Sequence, residues 1–184
     1  MQENNDARGE HRTMVLADGT QVQVREIQPE DAPALQRLVG RLSDQSIHLR
    51  FFGPMDKLSD KQARYFAEVD GKDQYALVAL DPQDDGEIVA VVRYTREAGT
   101  DRAEYAALVE DVWQGQGIGA ALTHRLIDEV RSNRVESFYA PVKAGNKRML
   151  SVLRHLDLPE RERVEDGERT VEVGLSYKGS QRMG

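Results

Sequence analysis

Three glycines fall within five positions at Gly115, Gly117 and Gly119, immediately ahead of an amphipathic segment that begins at Ala120. Inside a helix each would cost about 1 kcal/mol relative to alanine. They suit a backbone that must turn tightly and let something approach its bare N–H groups. A helix N-terminus adds orphan donors and a partial positive charge, so a glycine turn feeding a helix can cradle a phosphate. The plainer alternative is a tight turn that holds nothing. The spacing is neither GxGxxG nor a P-loop, because no Lys-Ser/Thr follows. It reads Gln-x-x-Gly-x-Gly, on Gln114, Gly117 and Gly119.

Such a turn needs a strand before it and a helix after it. Residues 103–109 are short and apolar and end in β-compatible types, which predicts a strand. Ala120 to Arg131 predicts a helix with Leu122, Leu126, Ile127 and Val130 toward the core. Upstream, Asp18-Gly19 marks a hairpin-type turn, and Val22 and Val24 alternate into a strand. Pro29-Glu30-Asp31 opens a helix carrying Leu35, Leu38, Val39 and Leu42, its acids favoured by the helix dipole. Ser43 is a fitting N-cap for a second helix, and Leu58-Ser59-Asp60 starts a third.

Residues 75–80 and 88–94 form a hairpin around a turn at 81–86. Residues 138–142 make a further strand and 146–156 a helix with Met149, Leu150, Val152, Leu153 and Leu156 buried. Residues 161–164 and 170–175 close the chain as a hairpin turned at Asp166-Gly167.

The 184 residues suffice for one domain with a real core, at 39% hydrophobic and 31% charged. No apolar run approaches the ~18 residues of a membrane span. The acidic opening lacks the apolar core of a signal peptide, and cysteine is absent, so the expected compartment is the cytoplasm, with no membrane association. That absence also excludes disulfides, cysteine nucleophiles and thiolate metal sites. A net charge of -7 argues against nucleic acid as a partner and favours cationic ones.

The Gln114-x-x-Gly117-x-Gly119 pattern resembles the pyrophosphate loop of the GNAT superfamily of N-acetyltransferases. Val109-Glu110-Asp111 is similar to the strand end that hydrogen-bonds the pantetheine arm there. The resemblance covers roughly residues 22–175. It implies an α/β (α+β) GNAT fold with a mixed central sheet of six to seven strands flanked by helices. The expected organisation is a disordered tail over residues 1–14, one acetyltransferase domain over 15–178 without an attached regulatory domain, and a short tail over 179–184.

Acetyl-CoA is the implied co-substrate, with no metal. Its expected contacts are Leu108, Val109 and Asp111 at the strand end, then Gln114, Gly115, Gln116, Gly117, Ile118, Gly119 and Ala120 in the loop. Asn146 and Arg148 join them from the later helix, and Lys143 and Lys147 are further candidates for the ribose phosphate. A narrower likeness lies in Leu42-Ser43-Asp44-Gln45-Ser46, Leu49-Arg50-Phe51-Phe52 and Leu58-Ser59-Asp60. These resemble Pat-type protein lysine acetyltransferases, which modify metabolic enzymes such as acyl-CoA synthetases. A protein acceptor would call for an open, acidic-leaning groove, in a monomer or homodimer.

Acetyl transfer to an amine needs a base, because a free lysine pKa near ~10.4 keeps it charged at neutral pH. Donors must also meet the oxyanion, and the thiolate must leave. The resemblance points to Glu104 as the base, within Ala103-Glu104-x-Ala106. On a strand it shares a face with Ala106 and Leu108, where partial desolvation would help it take a proton. The alternative is a solvent-facing or salt-bridged glutamate. Backbone N–H groups near residues 108–109 are the expected oxyanion donors.

Many GNAT enzymes carry a tyrosine seven residues after the asparagine that protonates the thiolate, and here that position is Leu153. Tyr139 lies in the preceding strand. His11, His48, His124 and His155 lack metal spacing, and Trp113 reads as a packed side chain. Two other functions fit the same residues: acetylation of a small-molecule amine, and a non-catalytic acyl-CoA-binding module. The second of these would predict a lost base.

Overall fold

The computed structural model describes residues 11–176. The described residues begin with strands β1 (Arg12–Val15) and β2 (Gln21–Glu26) and a 3-10 turn at Pro29–Asp31. Helices α1 (Ala32–Gly40), α2 (Asp44–Phe51) and α3 (Asp60–Ala67) follow. Next come strands β3 (Gln74–Asp81), β4 (Asp84–Arg96) and β5 (Arg102–Val109), then a 3-10 turn at Asp111–Trp113 and helix α4 (Ile118–Ser132). Strand β6 (Ser137–Val142), helix α5 (Lys147–Arg154) and the hairpin of β7 (Glu160–Glu165) and β8 (Glu168–Gly174) come last.

Among the described residues all strands belong to one mixed sheet, ordered β1-β2-β3-β4-β5-β6-β8-β7, in which only β5 and β6 pair in parallel. The sheet has eight strands, more than the six to seven expected. The addition is β1, which begins inside the segment assigned to the tail. The polarity of the opening residues hid the signal: Met14 and Leu16 are buried, at 4% and 5% exposure. The rest of the expected first tail, residues 1–10, and the whole of the expected last one, 179–184, lie outside the described residues.

Two apolar layers cover the sheet. One packs α4 and Leu153 of α5 against a face carrying Val92, Tyr94, Tyr105 and Phe138. The other packs α1, α2 and α3 against Val78, Ile88, Val91 and Leu108. With both faces covered, residues 88–92 of β4 form an uninterrupted buried run, as a strand covered on both sides must.

Local chemistry sets the helix starts near the site. The Ser43 hydroxyl accepts from the Ser46 amide to cap α2, and Ser59 and Gln62 cap α3 reciprocally. Helix α4 starts at Ile118, two residues ahead of expectation, because Gly117 at φ +82° takes the left-handed N-cap position. Asp166 and Gly167, at φ 50° and 81°, turn the last hairpin in the left-handed geometry its twist requires. Helix α5 buries less than its pattern suggested. Leu153 and the following Leu156 are buried, while Met149, Leu150 and Val152 are only partly so. Among the described residues no helix is long and apolar enough to cross a membrane.

Candidate active site

A fork in the sheet makes the site. Strands β5 and β6 pair at Arg102↔Ser137, Ala103↔Phe138 and Glu104↔Tyr139, and there the pairing stops. Beyond it β5 stays with β4 as far as Val109, and β6 stays with β8 as far as Val142. Each strand therefore turns one unpaired backbone edge toward the other. Pro141 of β6 fits this arrangement, since a proline nitrogen belongs where the ladder needs no donor. A cleft of about 380 Å³ opens in the fork, bounded by α2, the glycine turn, α4 and α5.

Glu104 stands at the apex and lines the cleft, as do Leu108 and Val109 further along β5. Gln114, Gly115, Gly117, Ile118, Gly119 and Ala120 form a second wall, and Asn146 and Arg148 a third. Asp111 and Gln116 do not reach it. The Gln116 amide turns back to donate to the Val112 carbonyl at 2.9 Å. The sequence pattern places both beside the loop, but only the folded turn shows which way each points.

The glycines have different reasons to be glycine. Gly115 and Gly117 sit at φ +76° and +82°, and a Cβ on either would meet no protein atom within 4 Å. Conformation demands them, and the space before them is open. Gly119 has an ordinary φ. Its Cβ would lie 3.4 Å from Val152 Cγ2 and 3.6 Å from Val109 Cγ2, so it lets α4 approach α5 and β5. Gln114 ties the turn to the end of β5 by donating to the Val109 carbonyl at 2.8 Å and to Ser46 Oγ at 3.2 Å. Its Oε1 is buried in the cleft wall and has no hydrogen-bond partner.

Asp111 serves as a tether. Its carboxylate accepts from the Ser43 amide (3.0 Å), the Ser43 hydroxyl (2.7 Å) and the Ser46 hydroxyl (2.9 Å), fixing α2 beside the cleft. Burial works against its charge, but the hydrogen bonds from Ser43 and Ser46 outweigh that and hold the carboxyl below its ordinary value. A group so depressed stabilises the fold fully above the unfolded aspartate pKa of about 3.9, and the contribution fades as pH falls through the lower folded value. Asp111→Ala should cost about 1–2 kcal/mol in denaturant titrations at pH 7. The difference from wild type should narrow once the pH is taken below that range.

Asn146 lines the cleft and also caps α5, its Oδ1 accepting from the Met149 amide at 3.1 Å. Of the three candidate cations near α5, only Arg148 borders the cleft. Lys143 does not line it, and donates instead to His48 Nε2 at 2.7 Å with its ammonium 5.4 Å from the Phe52 ring centre. Lys147 is exposed away from the cleft.

Glu104 is exposed rather than partly desolvated, because the fork opens beside it. Leu153 is buried in the core at 2% exposure. Tyr139 lies under the Arg102 guanidinium, 4.7 Å from the ring centre, and does not line the cleft. Tyr105 does line it, but its hydroxyl shares a 2.6 Å hydrogen bond with Thr123 Oγ1. Trp113 packs against the core, as its surroundings suggested.

Sequence reasoning missed Ser46, Arg50 and Phe52 of the α2 region, and Ser151 and His155 at α5, all of which border the cleft. Helical spacing alone would have grouped Ser46 with Arg50, and Arg148 with Ser151 and His155. The groove beside α2 is also less acidic than a protein acceptor was expected to need, since Arg50 and the buried Arg93 stand there with Glu104. Among the described residues no group of His, Asp and Glu could hold a metal ion.

Residues 21–158 match the family described as Acetyltransferase (GNAT) domain. An acetyltransferase of Pseudomonas aeruginosa is 32% identical over 143 residues, 77% of this chain and 76% of its own. The crystal structure of the GNAT domain of S. lividans PAT superposes with a TM-score of 0.81 at 32% identity, covering 89% of this chain and 96% of that one. A cAMP-binding acyltransferase from Mycobacterium smegmatis shares the fold, with a TM-score of 0.66 at 22% identity. The match takes in 96% of this chain but only 50% of that protein.

Proposed function

The chain belongs to the GNAT acetyltransferase family, and from that premise we propose that it moves an acetyl group from acetyl-CoA to a primary amine, the side chain of a lysine on a protein acceptor. The observation that carries this reading is the fork. Its free backbone edges, the exposed carboxylate at its apex and the glycine turn at its far end lie along one cleft.

The residues present fit acetyl-CoA. Open space faces the left-handed Gly115 and Gly117, and the amides that begin α4 have no helical partner, which is the chemistry of a pyrophosphate cradle. Gln114 Oε1 leaves an unused acceptor on the same wall. When bound, acetyl-CoA supplies an activated acyl carbon and a thiolate leaving group. The chain's part is to orient the amine, take its proton and meet the developing oxyanion. Glu104 takes the proton, through water, and β5 backbone donors near Leu108 and Val109 face the oxyanion. No tyrosine with a free hydroxyl lines the cleft among the described residues.

The protein acceptor, with acyl-CoA synthetases as candidates, rests on the likeness to the S. lividans domain and on the α2 and α3 segments that border the acceptor side. The net charge of -7 favours encounter with a lysine-bearing surface, an attraction that salt weakens. Labelled acetyl-CoA with each acceptor class at matched amine concentration tests this. Folded proteins should outrun free lysine, spermidine and aminoglycosides in kcat/KM. A small amine about tenfold better than every protein would put the small-molecule reading in its place.

A further inference from the structure

Two arginines beside α2 and α3 form no close ion pair among the described residues, although the Glu104 charge acts on both. Arg93 of β4 is only 7% exposed; its Nη1 donates to the Phe66 carbonyl at 3.1 Å, and its guanidinium lies 4.9 Å from the Phe66 ring centre. Arg50 of α2 is half-buried, with its guanidinium 5.0 Å from the Phe51 ring centre. The rings orient these cations without neutralising them, and a guanidinium has five donors to place. Neither forms an ion pair with any described residue. Buried cations are as a rule matched by an anion.

Both arginines border a small side cavity of about 30 Å³ whose other walls include Leu35, Leu58, Val91 and Ala106. Arg50 borders the main cleft as well, so it stands where the two meet. Arg93 pairs in register with Ala106, and Thr95 with Glu104, which makes Arg93 and Glu104 diagonal neighbours on one face of the sheet. The site thus sets one carboxylate beside two guanidinia. Burial pushes both guanidinia below their usual value, Arg93 to about 10 with the Arg50 charge adding to the effect there, while Glu104 pulls each the other way.

We propose that Arg50 and Arg93 form a carboxylate-binding site for the acceptor, so that the cleft selects an amine accompanied by an acidic group. Glu104 answers the amine and the arginines answer the acid. This deepens the acetyl-transfer reading and rests on it. The carboxylate has two chemical sources, an acidic side chain beside a protein lysine or the carboxylate of a free amino acid.

Lysine peptides with one glutamate placed within two residues on either side, compared with the same peptides carrying glutamine, test the first source. Lysine against lysinamide tests the second. The wild-type protein should favour the acidic member of one series in kcat/KM by on the order of tenfold or more. Arg50→Gln should bring that ratio close to one, and Arg50→Lys, which keeps the charge but loses the fork, should retain part of it. Melting curves and acetyl-CoA calorimetry on both variants show that fold and cofactor site persist, and the wild-type ratio needs no variant. A preference for lysine over lysinamide with no activity on any protein keeps the carboxylate site and removes the protein acceptor. Equal kcat/KM within both wild-type series overturns the proposal, as does a ratio that survives Arg50→Gln in folded protein.

Discussion

Glu104→Gln lowers the rate of acetyl transfer at pH 7 by a factor on the order of 10²–10⁴ and leaves acetyl-CoA affinity unchanged, if the carboxylate at the apex of the fork is the base. Glutamine keeps the size and the hydrogen-bonding shape, so the loss reports proton transfer rather than packing. Glu104 is exposed and enters neither apolar layer, which makes a folding defect a poor competing explanation. The deficit should shrink as pH rises, because an amine with a pKa near ~10.4 increasingly arrives deprotonated. A kcat/KM profile of both proteins from pH 6 to 10 reads it. Wild-type turnover in the variant at pH 7 would remove Glu104 from the chemistry.

The second large effect belongs to the glycine turn. Gly117→Val forces a β-branched residue toward φ +82° and pushes a side chain into the open space ahead of α4. Strain of this kind costs the fold about 1–3 kcal/mol, and the side chain would stand where a phosphate must approach the turn, so acetyl-CoA affinity should fall on the order of 10²-fold. Because a Cβ at Gly117 meets no protein atom within 4 Å, the fold bears the strain alone and no clash, and the loss of affinity comes on top of it. Gly119→Ala makes the contrast. Its Cβ would just touch Val152 at 3.4 Å, and its φ is an ordinary helical one, so that variant should change melting temperature little. Calorimetry and thermal denaturation of both variants separate the two effects, and an unchanged affinity in folded Gly117→Val would mean the phosphates lie elsewhere.

The distinction between those two glycines shows where a sequence stops informing. Glycine spacing and the strand and helix patterns around it were enough to locate the turn, its flanking elements and the carboxylate ahead of it. Spacing alone does not say whether a glycine is needed for its φ or for a close approach, and Gly117 and Gly119 look alike until α5 is in place. Asp111 makes the same point. It occupies a position that resembles a cofactor contact, yet Ser43 and Ser46 claim its carboxylate from 68 and 65 residues away. Long-range hydrogen bonds of this kind carry no local signal.

Strand β1 escaped notice because a short edge strand needs only one or two buried side chains, and polar neighbours dilute them. Arg50 and Arg93 were invisible for another reason. An arginine on a helix and an arginine in a strand each read as ordinary solvated charges, and only the packing of α2 and α3 over β4 and β5 brings both to one cavity. The fork is likewise a tertiary fact, set by two strands that follow different partners after a shared three-residue ladder.

Acetyl-CoA should lie in that fork with its thioester end at Glu104, and a crystal structure of the complex shows whether it does. The predicted result is density for the phosphates against the backbone amides of residues 115–119, continuing along the free edge of β5 to Glu104. Phosphates bound away from the glycine turn, or a pantetheine arm that leaves the cleft without passing between β5 and β6, would contradict it.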